Sequence, residues 1–197
     1  SSYSYITLLD NYLYYPLYIN ISIGSEKKPI TTLLDINTDQ LQLKSILKLP
    51  LNSTYDPKES YSYKNIESNF YYESITFYSD INFKNEITVN DIILYNNINQ
   101  NELNISNYYL NLGIMLANQN NDDNKYKTNL ILQLKSKHII SSTKFSINFQ
   151  NLTINNIKYD GFIIIGADSH EYNNKLNDNM LITTSAGNLN NKLNWFL

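Results

Sequence analysis

A mainly β fold is predicted from three features of the 197-residue sequence. Apolar and polar residues alternate in short runs such as Leu17-Tyr18-Ile19-Asn20-Ile21-Ser22-Ile23, the period of a strand with one buried face. Polar stretches rich in Pro, Asn or Ser separate these runs, as turns do. Only Leu130 to Ile140 places apolar residues near helical spacing, with Lys135 and Lys137 toward its C-terminal end, where the helix dipole favours cations.

In chain order, Leu17 to Gly24 is a half-buried strand and Ser25-Glu26-Lys27-Lys28-Pro29 a turn, with the partner strand at Ile30 to Leu34 and Asp35 at its end. Asn52 to Ser68, polar and containing Pro57, is expected to be a long surface connection. Strand signals return at Phe70 to Phe77 and Ile87 to Leu94, on either side of the polar Ser79 to Glu86, which reads as a second hairpin. Asn96 to Asn107 and Asn118 to Lys127 read as loops. Phe145, Ile147, Phe149, Leu152 and Ile154 continue the strand pattern, and Gly161 to Gly166 encloses the apolar run Phe162-Ile163-Ile164-Ile165, a buried strand. No internal repeat appears.

Composition narrows the function classes. With 42% hydrophobic and 17% charged residues the chain can bury a core of one domain. No apolar run approaches the ~20 residues of a membrane span, and no membrane span is expected. Ser1-Ser2-Tyr3 opens without Met or a signal-type apolar stretch, so a mature or trimmed chain is expected. The 15 basic and 18 acidic residues are spread along the chain, which leaves no footprint for nucleic acid or an anionic membrane. The absence of Cys removes disulfides, thiolate metal sites and thiol redox chemistry. His138 and His170 have no ligand-type neighbours at metal spacing, so neither a metal nor a cofactor is expected.

All 15 basic residues are Lys, and 33 Asn and 18 Tyr complete a usage that reads as drift toward AT-rich codons. Asn richness therefore carries little information: the four Asn-x-Ser/Thr triplets, at Asn20, Asn52, Asn104 and Asn151, are about the number chance supplies. Glycine is scarce, with 5 residues, so positions that ordinarily need it are expected to be filled by other side chains.

Ile19 to Leu43 resembles the start of a pepsin-like aspartic protease, in which a strand ending Ile-Gly-Thr-Pro leads through a hairpin to Asp-Thr-Gly-Ser. Here the stretches are Ile23-Gly24-Ser25-Glu26 and, without a gap, Leu33-Leu34-Asp35-Ile36-Asn37-Thr38. Ile75 to Ile81 is similar to the strand and flap of that family, with Tyr78, Ser79 and Asp80 at the flap, and Asp91-Ile92-Ile93-Leu94 to the strand that follows. Leu112-Gly113-Ile114-Met115-Leu116-Ala117 is similar to the family segment Asp-Gly-Ile-Leu-Gly-Leu, and Lys144 to Ile147 to the strand after the next helix. Gly161 to Asp168 looks like the strand entering the sheet between the lobes, and Leu193-Asn194-Trp195 like the entry to the second lobe. The resemblance implies residues 1–155 as an N-terminal lobe and 156–197 as interlobe sheet and start of a second lobe.

Aspartic proteolysis needs two carboxylates around one water, sharing a proton so that one acts as base and the other as acid. Asp35 alone matches such a site. Asp168-Ser169-His170 lacks the following Gly and precedes any second lobe. Ile36 stands where the family has a Thr hydroxyl that ties the active-site loops, Asn37 where it has Gly, Ser79 and Ile81 at the flap glycines, and Gln42 at the Trp that supports the flap Tyr. The resemblance thus implies an aspartic-protease-like binding or scaffold module that is catalytically inactive. The alternative is an acid endopeptidase whose second Asp lies outside this chain. Half of a two-lobed molecule leaves an apolar face, so a second lobe or another subunit is expected to cover it, and the cleft between Asp35 and Tyr78 either holds a peptide or is filled by side chains such as Ile36 and Ile81. By resemblance alone the location is secretory, extracellular or vacuolar.

Overall fold

The computed structural model describes residues 4–8, 17–35, 37–45, 53–78, 85–98, 108–114 and 128–167. Their chain order is β1 (Ser4–Leu8), β2 (Leu17–Ile23), β3 (Lys28–Asp35), β4 (Leu41–Ser45), a 3-10 turn (Pro57–Glu59), β5 (Lys64–Glu67), β6 (Phe70–Tyr78), β7 (Glu86–Asn97), β8 (Tyr108–Gly113), α1 (Leu130–Ser136), β9 (Phe145–Ile154) and β10 (Ile157–Ile165). The mainly β expectation holds.

The strands pair in the order β5-β6-β7-β4-β8-β3-β2-β1-β10-β9, and β6 also pairs with β2. That extra pairing, Ser22 with Thr76 and Ile23 with Ile75, closes β2, β3, β8, β4, β7 and β6 into a six-stranded barrel. Closure removes open edges and gives each strand one inward parity. Ile19, Ile21 and Ile23 of β2, Ile30 and Leu34 of β3, Leu41 and Leu43 of β4, Leu110 and Leu112 of β8 and Ile75 and Phe77 of β6 are all buried in one core. The alternation read from Leu17 to Ile23 is this inward parity.

Three boundaries differ from expectation, each for a local reason. Pro29 belongs to β3, opposite Ser22, and the turn is Gly24 to Lys27; Pro29 still contributes its carbonyl, which accepts from Thr54 N. The segment Asn52 to Ser68 is more than a surface connection: it contains β5, and Tyr55 is buried because its ring enters the core and its hydroxyl finds a carboxylate there. The helix stops at Ser136, because His138 takes φ 58° and the N–H groups of His138 and Ile139 donate to Lys135 O and Leu134 O, a Schellman-type end.

Six described non-glycine residues adopt positive φ: Lys27, Ser68, Asp91, His138, Asn155 and Asn156. The last two form the two-residue turn of the β9–β10 hairpin, at φ 52° and 65°, where a twisted hairpin favours positive φ at both positions. This is the glycine substitution the composition foretold.

α1 packs outside the barrel against β7. Gln133 Nε2 donates to Ile93 O at 2.8 Å and its Oε1 accepts from Ile93 N at 2.7 Å, so one side-chain amide serves as a strand partner for that stretch of β7. No described helix is long and apolar enough to cross a membrane.

Candidate functional site around Asp35

Asp35 is the last residue of β3, half-exposed, on the face opposite the Ile30 and Leu34 side chains. β3 and β8 run parallel with Asp35 beside Gly113, and Ile114 N donates to Asp35 O at 2.9 Å. Two segments that resemblance singled out separately, Asp35-Ile36-Asn37 and Leu112-Gly113-Ile114, are thus neighbours in the barrel. β8 lies between β3 and β4, parallel to the first and antiparallel to the second. The chain from Asn37 to Gln40 passes over the end of β8, and Gly113 N donates to Gln40 O at 2.9 Å. A Cβ at position 113 would overlap the Thr38 carbonyl and Gln40 N, so glycine is required here by backbone approach.

Both carboxylate oxygens of Asp35 are engaged. Asn37 N donates to Oδ1 at 2.9 Å, a short-range turn formed with asparagine at 37. Asn111 Nδ2 donates to Oδ2 at 2.9 Å across 76 residues of sequence. Asn111 is 1% exposed and its Oδ1 has no hydrogen-bond partner among the described residues. The neighbour that reaches Asp35 from within the barrel wall is therefore an amide, which carries no charge and shares no proton. No described carboxylate hydrogen-bonds to Asp35.

The loop over β8 is anchored from behind. Asn129 caps α1 by accepting from Leu132 N at 3.0 Å and donates its own Nδ2 to Asp39 O at 3.0 Å, while Leu41 N donates to Thr128 O. Gln42 Nε2 donates to Gln40 Oε1 at 2.8 Å, so its amide is spent within the loop. Tyr109 lies on the Asp35 face, and burial, with Tyr18 and Asp35 near it, pushes its phenol above the ordinary value.

Tyr78 ends β6, opposite Glu86 of β7 and Tyr5 of β1. Because β3 and β6 are both antiparallel to β2, Tyr78 and Asp35 lie at ends that point the same way. Ile36, Ser79, Asp80, Ile81, Met115, Asp168, His170 and Trp195 lie outside the described residues. Among the described residues no cluster of three or more His, Asp or Glu is placed to hold a metal ion.

A second carboxylate escaped the reading of the sequence. Glu73 is 0% exposed, on the inward parity of β6 opposite Ile92. Tyr55 Oη donates to its Oε2 at 2.7 Å, Ser74 N to its Oε1 at 2.7 Å, and Ser62 Oγ to the same oxygen. Burial first, then the Glu73 charge and the bond to it, push the Tyr55 phenol far above its ordinary range. The only sequence signals for these partners were a lone Glu within Tyr71-Tyr72-Glu73-Ser74-Ile75 and a lone Asn within Tyr109-Leu110-Asn111-Leu112.

No protein-family model matches the chain, and no curated protein matches it.

Proposed function

We propose that this chain is the N-terminal lobe of a pepsin-like aspartic protease fold that no longer catalyses, and that it works as a binding or scaffold module. The carrying observation is the engagement of Asp35: both oxygens are taken by N–H donors, one of them the buried Asn111 amide. A shared-proton pair requires a second titrating group beside Asp35, and among the described residues only amides bond to its carboxylate. The pepsin-like reading is further supported by the closed barrel with Asp35 at a strand end, and by the parallel pairing of Asp35 with Gly113. In this reading a second lobe or another subunit covers the interlobe face.

The test is cleavage of a peptide library at acid pH by the native assembly, with Asp35→Asn as control. The expected result is no cleavage that depends on Asp35. Cleavage abolished by Asp35→Asn would establish the endopeptidase with a second Asp outside this chain. Sedimentation of the 197-residue chain as a well-folded monodisperse monomer would remove the covering partner.

A further inference from the structure

A different part of the surface carries a ligand site of its own. The pairings of β5 with β6 and of β6 with β7 set Lys64, Tyr72 and Ile93 side by side across three strands on the outward parity of the barrel. Leu132, Gln133 and Ser136 of α1 and Lys137 at its C-cap lie along one side of this row, and together they bound a groove of about 830 Å³. That volume falls in the range of small-molecule sites, ~300–1,000 Å³.

The polar groups in the groove are unevenly used. Gln133 is consumed by the Ile93 backbone, and Ser136 Oγ donates to Gln133 O. Among the described residues the Lys64 and Lys137 ammonium groups and the Tyr72 hydroxyl have no hydrogen-bond or ion-pair partner, the ion pairs there being Lys27 with Glu86 and Lys28 with Glu26. These three donors, two of them cations, line the groove together with the apolar Ile93 and Leu132. Against them stands one acceptor, Asp91, held at φ 54° at a bulge where β7 spends Asn90 and Asp91 opposite Ser74. With Asp91 against Lys64 and Lys137 the charged groups of the lining leave one net positive charge, which favours a monoanion over a dianion.

We propose that this groove binds a small organic monoanion, a carboxylate attached to an aliphatic or aromatic body, with Lys64, Lys137 and Tyr72 on the carboxylate and Ile93 and Leu132 under the body. The proposal uses none of the residues around Asp35 and stands whether or not the lobe is catalytic.

The experiment is titration of the isotopically labelled full chain with 4-phenylbutyrate, followed by backbone amide shifts. Saturable shifts are expected at residues 64, 72, 91, 93 and 132–137. Lys64→Ala or Lys137→Ala, both at exposed positions, is expected to weaken binding about fivefold each. Asp91→Asn, which keeps a side chain suited to positive φ, is expected to tighten binding about threefold and to admit inorganic phosphate, which the parent chain excludes. Equal binding of 4-phenylbutylamine, shifts scattered outside the groove, or no saturable shift at about 10 mM probe overturns the proposal. So does binding there by an acidic peptide alone.

Discussion

Asp35 and Glu73 are the same chemical group placed in two ways. Each carboxylate accepts from one backbone N–H nearby in sequence and from side chains far from it. Asp35 is half-exposed at the end of β3, whereas Glu73 is fully enclosed and takes three donors. Water stands ready to replace a lost partner at the first site and is excluded from the second. A motif can mark a carboxylate, but enclosure decides how much of the fold depends on it.

Glu73→Ala breaks that comparison most severely. It strands the Tyr55 hydroxyl in the core and takes one partner from the half-buried Ser62 hydroxyl, which keeps Ser60 Oγ, at an expected cost of about 4 kcal/mol, against about 1 kcal/mol for Asp35→Ala. Urea unfolding midpoints of the two variants measure the difference, and equal costs would erase the distinction.

Gly113→Ala comes next, at about 3 kcal/mol, because the new Cβ meets backbone atoms of the loop over β8 that cannot swing aside. Its effect should appear locally as faster amide exchange at Asn37 and Ile114, whose N–H groups bond to Asp35.

Alkaline pH sharpens the contrast from the side of Glu73's donor. The Tyr55 phenol is raised in the folded state, so its contribution is fully present below about pH 10, the unfolded value, and is lost as pH climbs above it. There the unfolded chain has released a proton that the folded chain retains, a limiting slope of about −1.4 kcal/mol per pH unit. Stability measured from pH 9 to 11 should fall less steeply in Tyr55→Phe than in the parent.

The smallest effects are gains far from either carboxylate. His138→Gly, at the helix end with φ 58°, should stabilise by about 1 kcal/mol. Asn156→Gly, in the hairpin turn, should stabilise by about 0.5 kcal/mol, since Asn tolerates this conformation better than His does. A loss in either variant would mean that the side chain makes contacts worth more than the backbone strain.

What sequence alone determined is what short-range physics encodes. Strands β2, β6, β7 and β9 announce themselves because the pleat sends alternate side chains to opposite faces, and α1 because its apolar spacing differs. The shortage of glycine foretold side chains at positive φ, and Asp35 was visible through the residues before and after it. β1 carried too short a pattern to be seen, and the strand β5 was hidden within a polar stretch.

Tertiary structure decided everything that depends on residues distant in sequence. Closure of the barrel rests on Ile23 meeting Ile75, and the state of Asp35 on Asn111, 76 residues away. The burial of Glu73 depends on Tyr55 arriving from a segment that reads as surface. A chain's local pattern fixes which way each side chain points and which neighbours form hairpins, but enclosure depends on pairs such as β2 with β6, whose members no short window on the sequence contains together.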